Sequence, residues 1–200
     1  VLGIGSTLLQ LTVARYLPIC PKENIIIVTN AGYKDLVKEQ LPDLRDEQIL
    51  LEPRRKNTAP CIAYAAYKIN EENKDANIIV APSDHLIIKE LDFQNTVKTA
   101  INKAESENCL LTIGIKPSRP DTGYGYIQFE DDDNSDQPIK KVQTFTEKPL
   151  LDLAKSFIES GDFYWNSGMF IWNVKSILAA FEAHLPDLNK LFAEGLGKYG

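Results

Sequence analysis

The sequence has few of the residues that build metal centres, and those it has are not grouped. Its three cysteines, Cys20, Cys61 and Cys109, are far apart and form no Cys-x-x-Cys pair. An odd number of scattered cysteines predicts reduced thiols in a cytoplasmic protein and gives no zinc-site spacing. The two histidines, His85 and His184, are isolated from each other, and neither is assigned a catalytic role.

The sequence also lacks a long apolar run and an excess of positive charge. No stretch of about 18 apolar residues occurs and no basic-then-apolar leader opens the chain, so we expect neither a membrane span nor a signal peptide. The formal net charge of -6 argues against a nucleic-acid partner, which would call for a basic face. With 200 residues, 44% of them hydrophobic, the chain is predicted to form one globular domain over residues 1–200.

Short apolar segments alternate with helical patterns in the first part of the chain. "NIIIVTN", "QILLEP", "ANIIVAPSDHLI" and "CLLTIGIKP" are predicted to be buried strands, with amphipathic helices between them. The first helix is predicted to follow Ser6 as its N-cap. This alternation predicts an α/β fold with a mostly parallel central sheet flanked by helices.

The pattern changes after residue 120. "YGYIQFE" and "IKKVQTFTEKP" are predicted strands joined by an acidic turn, which favours a smaller antiparallel part. A helix, a strand at "YWNSGMFIWN" and a last helix follow. The acidic run at 131–133 is interpreted as a solvated hairpin loop.

A basic cluster stands directly before a predicted helix. Arg54, Arg55 and Lys56 precede Asn57 and Thr58, either of which can act as the N-cap. The N-terminus of a helix at the carboxyl end of a strand is a suitable place for an anion or a nucleotide. A solvated basic loop before an ordinary capped helix explains the same letters, and both interpretations stay open.

Asp84 follows the apolar strand in "APSDH". An Asp in this position can hold Mg²⁺ against a phosphate, because Mg²⁺ prefers one or two carboxylates plus phosphate oxygens. The alternative is that Ser83 or Asp84 caps the following turn.

Three further segments combine polar groups with strand patterns. Gly125 in "GYGYI" indicates a bulge or a close approach of the backbone to a ligand. Glu147 and Lys148 in "FTEKP" can bind sugar hydroxyls and a phosphate, or form a surface ion pair. Asn166 in "WNSGMF" lies between large apolar residues, where a bulge or a ligand contact would account for it.

These five segments, in this order and at these intervals, closely resemble the bacterial mannose-1-phosphate guanylyltransferases, also called GDP-mannose pyrophosphorylases. The resemblance covers nearly the whole chain. It implies a Rossmann-like nucleotidyltransferase fold and the transfer of GMP from GTP to mannose 1-phosphate with Mg²⁺, giving GDP-mannose and pyrophosphate. It leaves a homo-oligomer open.

The resemblance also implies roles for individual residues. The guanine nucleotide would be held by Glu52, Lys56, Asn57, Thr58 and Ala59. Asp84 would be a metal ligand near the α-phosphate. Gly125, Glu147 and Asn166 would bind the mannose, and Lys148 would neutralise the sugar phosphate, so that Asp84 and Lys148 are the expected catalytic residues.

The chain departs from the family pattern in two respects. Lys56 stands where the family usually has Arg, and it lacks the planar fork of donors that Arg offers. The family's Gly-Gly-x-Gly-x-Arg loop and a second metal-binding Asp are not within these residues. We therefore expect the chain to be the middle of a catalytic domain, inactive by itself.

Three alternatives remain beside this prediction. A related nucleotidyltransferase could use another base or sugar phosphate, and a non-catalytic homologue could bind sugar nucleotides as a regulatory subunit. A glycosyltransferase of similar fold would need an Asp-x-Asp motif after a buried strand, and the run at 131–133 has these letters in a polar turn.

Overall fold

The structure is a computed structural model that describes residues 5–52, 57–130, 137–195 and 197. Within them the chain divides into two compact units. The first consists of the described residues of segments 1–78, 82–110 and 171–200, and the second of those of segments 79–81 and 111–170. The prediction of a single catalytic domain over residues 1–200 stays a prediction.

The helices and strands alternate as the apolar segments indicate. In chain order they are α1 (Leu8–Tyr16), β1 (Ile27–Asn30), α2 (Lys34–Gln40), β2 (Ile49–Glu52), α3 (Thr58–Glu72), β3 (Asn77–Val80), α4 (Glu90–Ser106), β4 (Leu110–Ile115), β5 (Tyr126–Phe129), β6 (Val142–Thr146), α5 (Leu151–Ser160), β7 (Phe163–Asn173), α6 (Val174–His184) and α7 (Pro186–Ala193). No helix of the described segments has the length and apolarity that crossing a bilayer requires.

In the first unit, β1 and β2 form a parallel pair. Their register aligns Ile27 with Ile49 and Asn30 with Glu52. Because parallel strands end at the same edge, Asn30 and Glu52 both lie at the carboxyl edge of this pair. The sequence-predicted position of Glu52 at a strand end is therefore confirmed.

Helices supply most of the packing in the first unit. Tyr16 of α1 contacts Phe93 of α4 edge-on, with ring centroids 5.8 Å apart. Tyr67 of α3 stacks on Phe192 of α7 and hydrogen-bonds Asn189. The capping residue of α1 is Thr7, not the predicted Ser6, because Thr7 and Gln10 form a reciprocal capping box.

The second unit contains most residues of a five-stranded sheet. The strand order is β3, β7, β5, β6, and β4 also pairs with β7. Strand β5 is antiparallel to both β6 and β7. The α/β fold with an antiparallel part after residue 120 is confirmed, whereas the insertion of β7 between β3 and β5 was not predicted.

One face of this sheet is covered by α5. Ala154 of α5 is fully buried against Tyr126, Phe163 and Trp165. Phe157 stacks on Phe163 at a centroid distance of 3.9 Å. Burial alternates along β7 because successive side chains of a strand point to opposite faces.

Gly114 of β4 lies against the side chain of Tyr164 in β7. A Cβ at position 114 would lie 2.7 Å from Cδ2 and 3.0 Å from Cβ of Tyr164. The ring of Tyr164 also packs on Phe129, at a centroid distance of 4.8 Å, so it cannot move away without losing that contact.

We therefore expect Gly114→Ala to lower the free energy of unfolding by about 1–2 kcal/mol, the cost of overpacking at a tight contact. Urea unfolding followed by circular dichroism measures it. Gly32→Ala is the control, because a Cβ there meets only Asn30 Oδ1 at 3.4 Å. Equal stability of the two variants would contradict the prediction.

Candidate nucleotide and sugar-phosphate sites

The predicted nucleotide residues lie at the end of β2 and the start of α3, in the first unit. Glu52 is the last residue of β2, Asn57 is the N-cap residue of α3, and Thr58 and Ala59 begin the helix. Lys56, with Arg54 and Arg55, lies outside the described residues.

The backbone at Asn57 has an unusual conformation. Its φ of 67° and ψ of -165° belong to a region that is normally restricted to glycine, and such a residue costs about 1–3 kcal/mol. The Asn57 side chain makes no capping hydrogen bond to the helix. The Asn57 side chain therefore does not cap the N–H groups of Thr58 and Ala59, which lie at the positive end of the helix dipole.

Asp84 lies in the turn after β3, also in the first unit. Its side chain is 78% exposed, and Nε2 of His85 lies 3.8 Å from Oδ1, which is too long for a hydrogen bond. Within the part of the chain that the structure describes, no donor lies at hydrogen-bond distance from the Asp84 carboxylate. A hard, exposed oxygen donor of this kind fits a Mg²⁺ ion that shares its other ligands with phosphates and water.

A buried arginine holds the backbone beside Asp84. Arg15 of α1 is 2% exposed, and its guanidinium donates a 3.2 Å hydrogen bond to the carbonyl of His85. The same guanidinium lies 5.9 Å from the ring centre of Phe93. Arg15 therefore ties helix α1 to the segment that presents Asp84.

In the second unit, three predicted sugar-binding residues lie on one cross-strand row. Tyr126 aligns with Thr146 of β6 and with Trp165 of β7. In antiparallel strands the next row toward the N-terminus of β5 then contains Gly125, Glu147 and Asn166. We call these three residues the Gly125 row.

Two contacts show that the Gly125 row is formed. The backbone N–H of Asn166 donates to the carbonyl of Gly125 at 2.8 Å. A Cβ on Gly125 would lie 2.7 Å from Oε2 of Glu147 and 3.0 Å from Cζ of Phe145. A glycine is thus required at position 125, because any side chain there would collide with Glu147 and Phe145. The sequence-based expectation was a bulge or a close approach of the backbone to a ligand, and the approach to a ligand stays a prediction.

Lys148 follows Glu147 in the chain and lies opposite Tyr124, next to the Gly125 row. Its N–H donates to the carbonyl of Tyr124 at 3.2 Å, and its Nζ lies 3.2 Å from Oε1 of Glu147. Both side chains are more than half exposed. The predicted surface ion pair is therefore present, and an exposed pair of this kind contributes at most about 1 kcal/mol.

The backbone of Lys148 is strained in the same sense as that of Asn57. Its φ is 45°, although Lys148 precedes a proline and such residues are normally extended. Among the described residues other than glycine, a positive φ occurs at Asn57 and Lys148. Strained backbone concentrates at functional sites, so its location at two predicted binding residues supports their selection.

The loop before Gly125 is held by its own polar contacts. Asp121 accepts hydrogen bonds from the N–H of Gly123 at 2.9 Å and from Arg119 at 2.6 Å. These two donors hold the pKa of Asp121 below its ordinary value. Arg119 lies over Trp165, and the Tyr126 hydroxyl donates to the carbonyl of Asp121. These contacts fix the conformation of the loop that leads to Gly125.

The cysteines offer no activated nucleophile. Burial and, after it, the charge of Glu52 raise the pKa of the Cys61 thiol to about 11. Burial is also the main cause that raises the pKa of Cys20 and of Cys109. At neutral pH these thiols are protonated, which makes them poor nucleophiles.

Sequence reasoning missed Arg15, Asp121 and Thr112. Thr112 of β4 contacts the side chain of Asn166. Each of the three acts through residues distant in the chain or through a loop conformation, and no spacing rule indicates such contacts. The one available signal was the charge of Arg15 inside an otherwise apolar stretch of α1.

Curated proteins that resemble the chain include a mannose-1-phosphate guanylyltransferase and a protein of alginate biosynthesis. The chain is 40% identical over 194 residues to the mannose-1-phosphate guanylyltransferase of Escherichia coli, covering 94% of this chain and 41% of that protein. It is 38% identical over 185 residues to the alginate biosynthesis protein AlgA of Pseudomonas aeruginosa, covering 92% of this chain and 38% of AlgA. The chain thus spans about two fifths of the length of these relatives.

Two solved structures with the same fold have names that include a mannose phosphate. A crystal structure described as mannose-1-phosphate geranyltransferase from Thermus thermophilus superposes with a TM-score of 0.87 at 26% identity, covering 97% of this chain and 55% of that one. A mannose-6-phosphate isomerase from Helicobacter pylori superposes with a TM-score of 0.80 at 33% identity, covering 94% and 70%.

A protein-family model described as Nucleotidyl transferase matches residues 1–198. The match extends over both compact units and includes every residue of the two candidate sites. The chain therefore belongs to the nucleotidyl transferase family.

Proposed function

We propose that the complete protein transfers GMP from GTP to mannose 1-phosphate, giving GDP-mannose and pyrophosphate. The observation that carries the proposal is the Gly125 row. In it the Glu147 carboxylate and the Asn166 amide flank Gly125, whose missing side chain leaves space for Glu147, and Lys148 is adjacent. The name mannose-1-phosphate guanylyltransferase, which two of the relatives carry, supports mannose 1-phosphate and a guanine nucleotide as the substrates.

The second unit would bind the sugar phosphate. The Glu147 carboxylate is 58% exposed and can accept hydrogen bonds from two sugar hydroxyls. The amide of Asn166 can donate to a third polar group of the ligand. Lys148, whose ammonium is 63% exposed, would neutralise the phosphate.

The first unit would bind the nucleotide. The N–H groups of Thr58 and Ala59, which the Asn57 side chain does not cap, suit phosphate oxygens, and Asn57 and Glu52 provide polar side chains at the same strand end. Lys56 is proposed to add positive charge.

The reaction is an in-line displacement at the α-phosphorus of GTP. A phosphate oxygen of mannose 1-phosphate forms the new P–O bond while the bond to pyrophosphate breaks, so no covalent enzyme intermediate is needed. Such chemistry depends on positioning and on charge neutralisation. Asp84 would hold Mg²⁺, which stabilises charge on the α-phosphate and the leaving group when bound.

A cytoplasmic location is part of the proposal, since reduced thiols fit that compartment and Cys20, Cys61 and Cys109 are unpaired in the structure.

Pyrophosphate release by the full-length protein tests the proposed activity. With Mg²⁺ present, we expect release from GTP plus mannose 1-phosphate to exceed release from other nucleoside triphosphates or other hexose 1-phosphates. Preference for another pair would identify a related nucleotidyltransferase with different substrates. Binding of GDP-mannose without any release would identify a regulatory homologue.

Asp84→Asn in the full-length protein is expected to lower kcat by at least about 100-fold, because the neutral amide oxygen binds Mg²⁺ much more weakly than the carboxylate does. Steady-state kinetics at several Mg²⁺ concentrations measure the effect. Asp35→Asn, at an exposed carboxylate of α2, is the matched control and should leave kcat unchanged. Near-normal turnover of Asp84→Asn would refute the role of Asp84.

Gly125→Ala is expected to raise the KM for mannose 1-phosphate about tenfold or more while the protein remains folded, because the new methyl group displaces the mobile end of Glu147. Glu147→Gln should produce a rise of the same order. One variant displaces the carboxylate and the other removes it, so in both no carboxylate acceptor remains at the native position. Glu159→Gln, at an exposed site on α5, is the control. An unchanged KM in either site variant would count against the sugar site, and a lowered melting temperature of Gly125→Ala would show that the fold had yielded instead.

A further inference from the structure

The side-chain oxygen of Asn166 is held from inside the second unit by two donors. The hydroxyl of Thr112 lies 2.8 Å from Oδ1 of Asn166, and the backbone N–H of Gly168 donates to the same oxygen at 3.1 Å. Gly168 reaches this position with a φ of 72°, in the left-handed region that favours glycine. Asn166 is therefore anchored by its side chain as well as by its backbone N–H.

These contacts determine which way the amide faces. A backbone N–H can only donate, so the Asn166 atom opposite Gly168 must be the oxygen and cannot be the NH₂ group. Thr112 then faces an oxygen as well, and its hydroxyl is the donor in this contact. Its single proton has a second acceptor in reach, the carbonyl of Met169 at 3.0 Å, but Oδ1 of Asn166 is the nearer one.

The orientation leaves the NH₂ group of Asn166 free. None of the described residues accepts a hydrogen bond from Nδ2, whereas Oδ1 has both of its lone pairs occupied. Without the hydroxyl of Thr112, the Gly168 N–H alone would oppose rotation of the amide. An Asn that rotates would present an acceptor in place of a donor for part of the time.

We propose that Thr112 is a positioning residue for ligand binding. Its hydroxyl locks the Asn166 amide so that Nδ2 is presented as a donor to an oxygen of the bound sugar phosphate. The identity of the ligand rests on the proposed function. The orientation of the amide does not, because it follows from contacts within the ligand-free protein.

The test uses Thr112→Val, which removes the hydroxyl at nearly constant volume, and Thr112→Ser, which retains it. Thr144→Val is the matched control, because Thr144 is exposed on β6 of the same sheet and its hydroxyl makes no hydrogen bond that the structure describes. Full-length proteins labelled with ¹⁵N-asparagine report the Asn166 side-chain NH₂ resonances, which the loss of a peak in Asn166→Asp assigns.

We expect Thr112→Val to shift and broaden the Asn166 NH₂ resonances and to raise the KM for mannose 1-phosphate about five- to tenfold, as expected for weakening one hydrogen bond. The KM for GTP should stay within about twofold, because the substitution affects the proposed sugar-phosphate site and not the proposed nucleotide site. Thr112→Ser should restore both the resonances and the KM, and Thr144→Val should change neither.

Unchanged Asn166 resonances in Thr112→Val would overturn the proposal. A shift in those resonances with an unchanged KM for mannose 1-phosphate would overturn it too, since the lock would then have no effect on binding. Equal rises in both KM values with a lower melting temperature would show a general structural role in its place. If the wild-type protein neither binds nor converts mannose 1-phosphate, the proposed function fails, and the resonances of the ligand-free protein still decide whether Thr112 orients Asn166.

Discussion

The candidate sugar-phosphate site depends on the pairing of one short strand, β5, with a neighbour on each side. Strand β5 is antiparallel to both β6 and β7, and the register at Tyr126 fixes the next row at Gly125, Glu147 and Asn166. These residues come from three segments that are well separated in the chain. A shift of one residue in either pairing would turn Glu147 or Asn166 to the face that α5 covers. The arrangement of the proposed sugar-phosphate residues is therefore a consequence of strand register.

The core on the opposite face keeps that register in place. Tyr126 is fully buried and packs with Phe163 and Trp165 against α5. Since side chains alternate along a strand, burying Tyr126 on one face presents the Gly125 row on the other. The left-handed backbone conformation of Lys148 costs about 1–3 kcal/mol, and the packing of the sheet offsets this cost. The hydrogen bond from Lys148 to Tyr124 joins this residue to the strand end and helps to hold it.

The sequence was sufficient for the order of the elements, because apolar segments with β-branched residues mark β1 to β4. It also selected most of the candidate residues, Gly125 among them, whose roles stay predictions. The partners of these residues were not predictable, because register and strand order arise from tertiary packing. Thr112 illustrates this limit. Nothing in "LLTIGI" distinguishes a threonine that contacts Asn166, 54 positions away, from one that only favours a strand. Lys56, whose substitution for the family's arginine the sequence does reveal, lies outside the described residues.

Charge explains how an acidic chain can be suited to anionic substrates. The net charge is -6, so attraction of phosphates must come from local groups and not from the overall field. At Glu147 and Lys148 the two charges are exposed and neutralise each other. Because such a pair contributes at most about 1 kcal/mol, separating it on ligand binding costs little. A sugar phosphate offers hydroxyls to the carboxylate and an anionic group to the ammonium, and so it can satisfy both partners at once. The ion pair that first suggested an ordinary surface contact is thus also a suitable resting state for a binding site.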